Sequence, residues 1–140
     1  MIKIKILSVG KTKETWLTDA IDEYLKRLTP VATIEFVWAK NDEQLISFIE
    51  QESDIVCLDA QGSLMTSEEF AGFLIKQLES HGSRLTLVIG GSDGLPGNIK
   101  AKYPLISLSR MTFTHQITRL VLIEQIYRAF EIWRGSKYHK

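Results

Sequence analysis

Residues 54–90 read DIVCLDAQGSLMTSEEFAGFLIKQLESHGSRLTLVIG. Asp54 to Asp59 (DIVCLD) is a short apolar run with no alternation, as expected of a strand buried on both faces of a parallel sheet. After a loop from Ala60 to Met65, Thr66 followed three residues later by Glu69 has the form of a capping box. The helix it opens carries Phe70, Phe73, Leu74 and Leu78 at helical spacing and closes near Gly82. Arg84 to Ile89 (RLTLVI) is strand again. Strand, helix and strand in this order predict a crossover between parallel neighbours, and that unit decides the fold class.

The same alternation extends both ways. Ile2 to Ser8 (IKIKILS) is a first strand, ended by Gly10, and Trp16, Leu17, Ala20, Ile21, Tyr24, Leu25 and Leu28 predict a helix from about Thr15 to Leu28, before Pro30. Thr33 to Ala39 (TIEFVWA) is a second strand, and Asn41 with Gln44 resembles another capping box, opening a short helix. A helical turn near Ile99 to Lys102 leads to a fifth strand at Leu105 to Leu108, and a long helix follows from Thr114 to Arg134. The expected fold is therefore α/β with a central parallel sheet in a single domain, residues 1–140.

Composition bounds the function. With 44% hydrophobic residues and 24% charged residues, 140 residues can build a core and do not read as disordered. No apolar run reaches bilayer length, and Met1 opens directly onto a strand pattern rather than a secretory leader, so a soluble cytoplasmic protein is expected. Cys57 is the only cysteine, which excludes an internal disulfide and a thiolate metal cluster, and its place in the IVCL run suits a small buried hydrophobe. His81, His115 and His139 show no metal spacing. The formal net charge is +0, yet from Lys100 onward eight Lys or Arg stand against Glu124 and Glu131, leaving +6 there and −6 in the first 99 residues. A basic end suggests an anionic partner.

Ligands of open parallel sheets bind beyond the carboxyl ends of the strands, which selects the loops after Asp59, at Gly90 and from Ser107 to Thr114. The run from Gly90 to Gly97 (GGSDGLPG) exposes backbone but is not a dinucleotide fingerprint, and by itself it also reads as a long turn. Gly10-Lys11-Thr12 resembles the end of a phosphate-binding loop, but Lys5 stands where its leading glycine belongs. The final helix is apolar at eleven of the seventeen positions from Ile117 to Trp133 and not on one stripe, so it needs cover on nearly all sides. A homodimer packed through it is the expected answer, with burial under the chain's own loops as the alternative. Glu124 with Arg128 and Glu131 with Arg134 have ion-pair spacing. His115 and Arg119, four apart, suit an anion or a solvated face. The tail, Arg134 to Lys140, combines cations with an aromatic ring, which suits phosphate contact and base stacking.

These residues resemble a known family. Leu58-Asp59-Ala60-Gln61-Gly62, the IGGSxG run at Ile89 to Gly94, the opening IxxVGK and the string LSxMTFxHQxxRxxLxEQxYRAxxIxxGxxYHK from Leu108 to Lys140 are similar to the RlmH family of 23S rRNA pseudouridine N3-methyltransferases, of the SPOUT class. The main departure is a short Lys40 to Glu43 connection. The resemblance implies a sheet with helices on both faces, a C-terminal trefoil knot, a homodimer, and S-adenosylmethionine bound by Leu58, Gly90, Leu108, Ser109, Arg110, Met111, Thr112 and Phe113. It implies ribosomal RNA, within the ribosome, as substrate, with no metal and no membrane. His139 is then the candidate for assisting loss of the N3 proton, with Tyr138 stacking on or bonding to the base; RNA grip without chemistry is the alternative for both. His115, Arg119, Arg128, Lys137 and Lys140 are the expected phosphate contacts. A noncatalytic RNA- or ribosome-binding module on the same fold, or a flavodoxin-like nucleotide binder, are the competing expectations.

Overall fold

A computed structural model describes residues 1–140. Strands β1 (Lys3–Val9), β2 (Thr33–Ala39), β3 (Ile55–Leu64), β4 (Arg84–Ile89) and β5 (Leu105–Ser107) form one sheet in the order β2-β1-β4-β3-β5. Every pairing is parallel. Helices α1 (Thr15–Leu28), α3 (Ser67–Ser80) and α5 (His115–Trp133) cover one face, and α2 (Asp42–Glu50) and α4 (Gly97–Lys102) the other.

The period-two alternation of the strands divides the core between those faces. Ile4 and Ile6, Val56 and Leu58, and Leu85, Leu87 and Ile89 point toward α1, α3 and α5. Leu7, Ile55, Cys57 and Val88 point toward α2 and α4. Cys57 is buried, and burial pushes its thiol up to about 12, so it is inert packing as its apolar surroundings suggest. Both capping motifs form. Thr66 accepts from the Glu69 N–H (3.1 Å) while Glu69 takes the Thr66 N–H (2.8 Å). Asn41 accepts from the Gln44 N–H at 2.9 Å, and the Gln44 side chain reaches back to Lys40 rather than to Asn41.

Two differences from the sequence reading matter for function. The stretch after Asp59 is not a free loop: β3 continues to Leu64 with an irregularity between Leu58 and Ser63, and its far end pairs with β5. A Cβ on Gly62 would lie 2.7–2.8 Å from backbone atoms of Leu105 and Ile106, so only glycine lets β5 run this close. Second, α5 lies between α1 and α3, which bury Leu122, Ile123, Ile126, Ala129 and Phe130 together with the sheet. Most of the helix is thus covered within the chain by helices rather than loops, and its apolar character does not by itself require a second subunit.

Gly62→Ala is expected to destabilise the protein by about 1–3 kcal/mol, the usual cost of overpacking. Gly72→Ala, in the exposed middle of α3 with open space around its Cβ position, is expected to stabilise by about 0.5–1 kcal/mol. Urea unfolding of the two variants measures both.

Candidate functional site

The ends of β3, β4 and β5 open onto a cleft of about 740 Å³, within the range of small-molecule sites. Three segments form its walls: Leu58 to Gln61, Ile89 to Leu95, and Leu108 to Phe113, with Lys100, His115 and Thr118 at its edge. All eight residues expected to hold a cofactor (Leu58, Gly90, Leu108, Ser109, Arg110, Met111, Thr112 and Phe113) line this one cleft.

Local chemistry sets each wall. Gly90 begins a tight loop in which Gly91 bridges to Gly94, and the space where a Gly90 side chain would sit is filled by the Gly94 and Leu95 backbone, the nearest atom 2.5 Å away. Glycine is required there for loop closure, quite apart from any ligand. In the 108–113 segment, Ser107 donates to the Ser109 carbonyl at 2.8 Å, with the Ala60 carbonyl at 3.2 Å, and Ser109 accepts from the Met111 N–H at 3.0 Å. Arg110 donates to the carbonyls of Ala60 and Gly62, the latter at 2.9 Å. That guanidinium fastens the segment to the extended end of β3. The backbone N–H groups of Arg110, Thr112 and Phe113, residues that line the cleft, have no acceptor within the chain. Leu58, Ile89, Leu95 and Leu108 supply apolar surface alongside them.

Sequence reasoning missed Asp59 and Lys100 as a pair. Lys100 Nζ lies 3.2 Å from Asp59 Oδ2, while Asp59 Oδ1 accepts the Gln61 N–H at 2.8 Å. The Leu58-Asp59 motif pointed to the carboxylate, but nothing local marked its partner 41 residues on. No group of three or more His, Cys, Asp or Glu side chains is placed to hold a metal, and no helix is long and apolar enough to cross a membrane.

The expected phosphate contacts need correction. Arg119 is fully buried, not a solvated grip. Its Nε donates to Ser8 Oγ (2.9 Å), Nη1 to Thr12 Oγ1 and Gln116 Oε1 (3.0 Å each), and Nη2 to the Val9 and Gly10 carbonyls (2.7 Å each). The guanidinium also lies 4.8 Å from the Trp38 ring centroid. Burial pulls it down to about 10, which leaves it charged at neutral pH. His115 does reach the cleft, but burial, then the Arg119 charge, pushes its imidazole below the ordinary value, so it favours the neutral form. Arg128 pairs with Glu124 (3.1 Å), and Arg134 with Glu131. Of the expected phosphate contacts, Lys137 and Lys140 are exposed and in no ion pair.

Tyr138 and His139 do not line the cleft. The tail folds back along α5 as far as Glu124, which lies about 9 Å along the helix from Thr118 at 1.5 Å rise per residue. Tyr138 donates to Glu124 Oε2 (2.9 Å) and stands edge-on to Tyr127, the ring centroids 4.8 Å apart. Burial, then the bond to Glu124, keeps its phenol protonated. Arg128 donates to His139 Nδ1 at 3.0 Å, which puts the ring hydrogen on Nε2, facing Glu68.

The model of the family described as "Predicted SPOUT methyltransferase" matches residues 2–139. The chain is 60% identical to "Ribosomal RNA large subunit methyltransferase H" of Protochlamydia amoebophila over 140 residues, covering all of both chains. It is 40% identical to the protein of that name from Symbiobacterium thermophilum, covering 99% of this chain and 100% of the relative. Among solved structures, a probable methylase family protein from Haemophilus influenzae aligns with a TM-score of 0.55 at 13% identity, over 99% of this chain and 70% of that one. TrmJ from Z. mobilis aligns with a TM-score of 0.53 at 8% identity, over 91% and 69%. At such identities these two speak for the fold alone.

A pH test follows from His115. Its folded pKa lies below that of the unfolded chain, so the unfolded chain binds the proton more readily and stability is lost as pH falls from about 6.5 through the depressed folded value. His115→Asn is expected to flatten that part of the curve in denaturant titrations between pH 7 and 5, above the range where carboxylates titrate.

Proposed function

The chain belongs to the SPOUT methyltransferase family and is a methyltransferase of large-subunit ribosomal RNA; from that premise we propose that it is a cytoplasmic enzyme that takes its methyl group from S-adenosylmethionine and places it on N3 of a 23S pseudouridine. The observation that carries the cofactor reading is the cleft itself, where all eight residues matching the family motifs converge although they come from three separate segments. Membership of an enzyme family replaces the noncatalytic module and the flavodoxin-like binder as readings of this fold.

The residues present fit such a cofactor. Open N–H groups at Arg110, Thr112 and Phe113 suit the polar edge of an adenine, and Leu58, Leu95 and Leu108 suit its faces. The bound cofactor supplies an electrophilic methyl group. The protein's part is to hold donor and base in line and keep water away, so positioning carries much of the rate. N3 gives up its proton as it gains the methyl, and the base has to be unstacked to present that edge.

The working unit is a homodimer in which each tail serves the other subunit's cleft. Leu64, Met111 and Phe113 are 51%, 74% and 41% exposed beside β5, the short edge strand, which supports a contact on this flank. The tail's seat against Glu68 and Glu124 borders the same flank. On leaving that seat, His139 would free a nitrogen for the N3 proton, and the protonated Tyr138 would donate to or stack on the base. The tight approach of β5 to Gly62, with Arg110 tied to β3, supports the trefoil knot expected of the family.

Large subunits lacking the modification, incubated with protein and labelled S-adenosylmethionine, are expected to be labelled at a single pseudouridine; absence of transfer would sink the assignment. Light scattering is expected to give twice the chain mass. Deleting Tyr138 to Lys140 is expected to abolish transfer while sparing cofactor binding, and Thr112→Trp, which fills the cleft from an exposed position, to abolish both. Mixing the two inactive variants is expected to restore part of the activity, because one of the two clefts in a mixed dimer then has an intact tail opposite; no recovery would return the tail to its own subunit.

A further inference from the structure

The basic end of the chain does not survive folding as a patch. Arg110, Arg119, Arg128 and Arg134 are each committed to carbonyls or carboxylates of the chain itself. The question becomes which cations beside the cleft remain free, and the carboxyl ends of β1 and β2 hold them.

Arg119 is the key to that edge. Four of its five hydrogen bonds go to residues 8–12, at the end of β1 and in the turn to α1, and the fifth goes to its own helix. A fully buried guanidinium with every nitrogen engaged is a costly device unless it fixes something. What it fixes is the Gly10–Glu14 turn, which is otherwise tied at its two ends, by the Gly10 N–H to the Ala39 carbonyl at 2.8 Å and by the Glu14 carbonyl, which accepts from the Leu17 and Thr18 N–H groups of α1. The turn stands at the rim of the cleft: Val9 packs against Gly91, and Arg119 follows Thr118, both cleft residues. Lys11 and Lys13 project from the turn, exposed and without an ion-pair partner, and Lys40, beside Gly10 in register, is likewise exposed and unpaired. Of the nearby acids, Glu14 closes the turn at the N-terminus of α1, and Asp42 and Glu43 occupy the first turn of α2, where carboxylates offset the positive ends of those helices.

We infer that Arg119 is a positioning residue whose clamp on the Gly10–Glu14 turn presents Lys11, Lys13 and Lys40 as a phosphate-binding rim, gripping the ribosomal RNA backbone beside the nucleotide in the cleft. The inference rests on the RNA substrate reading. Lysines suit this task because backbone contact asks for charge rather than a fixed hydrogen-bond fork, and each contact adds to the salt dependence of binding.

The test uses full-length protein and ribosomes lacking the modification. Lys11→Ala/Lys13→Ala/Lys40→Ala is expected to weaken ribosome binding roughly tenfold or more at physiological salt and to reduce the slope of log affinity against log salt by about 2 to 3, with affinity for S-adenosylmethionine changed less than twofold. Arg119→Met is expected to raise the KM for ribosomes more than it lowers kcat, and Arg119→Lys to recover part of that loss. An unchanged salt slope in the triple variant would overturn the rim, and loss of cofactor affinity equal to loss of ribosome affinity in Arg119→Lys would show that Arg119 supports the cofactor cleft instead. Ribosome binding is read by sedimentation without methyl transfer, so a failed methylation assay with normal salt-dependent binding would count against the enzyme reading and leave the rim standing.

Discussion

A guanidinium taken wholly out of water must find hydrogen bonds for all its donors, or the fold loses several kcal/mol. Arg119 meets that demand with Ser8, Val9, Gly10, Thr12 and Gln116, and in doing so it joins the end of the first strand to the start of the last helix, 111 residues apart at its farthest bond. This is where the chain's two ends are registered. The first strand lies in the middle of the sheet and the last helix runs between α1 and α3, so fixing one against the other sets the frame in which the three cleft loops meet. Trp38, from the neighbouring edge strand, closes over the guanidinium and adds a third element to the joint.

The cleft is a second consequence of backbone packed close to backbone. β5 can lie against the far end of β3 because Gly62 has no side chain, and the chain then turns at Ser107 and Ser109 with Arg110 reaching back to the Ala60 and Gly62 carbonyls. Carbonyls freed by the irregularity in β3 are thereby satisfied, while the N–H groups of Arg110, Thr112 and Phe113 stay open. A wall of unpaired backbone donors beside apolar side chains suits a nucleoside, and it arises where parallel sheets commonly bind ligands.

Charge is used in two distinct ways. Arg110, Arg119 and Arg128 tie segments together by directed bonds, and Arg134 pairs with Glu131 three residues before it. The lysines near the cleft and at the tip of the tail are left to solvent, able to meet a flexible anion. The tail itself is held by Glu68, Glu124 and Arg128, with Tyr138 protonated and His139 occupied at both nitrogens, so its place along α5 is a seat rather than a catalytic position.

Much of this was legible in the residues. Apolar runs without alternation marked the buried parallel strands, Thr66 with Glu69 marked a helix start, and the strand-end loops at Leu58, Gly90 and Leu108 to Phe113 were placed together because strand order dictates that loops at one end of a parallel sheet are neighbours. These are local or topological facts, and the sequence by itself determined them. It could not say that β3 runs on to Leu64, because that extension depends on a close crossing at Gly62 whose partner strand lies more than forty residues away. Nor could it tell that Arg119 is a buried clamp rather than a surface cation, or that His139 is already paired on both nitrogens. The fate of a charged side chain depends on the solvent and partners around it, and only the tertiary structure decided those.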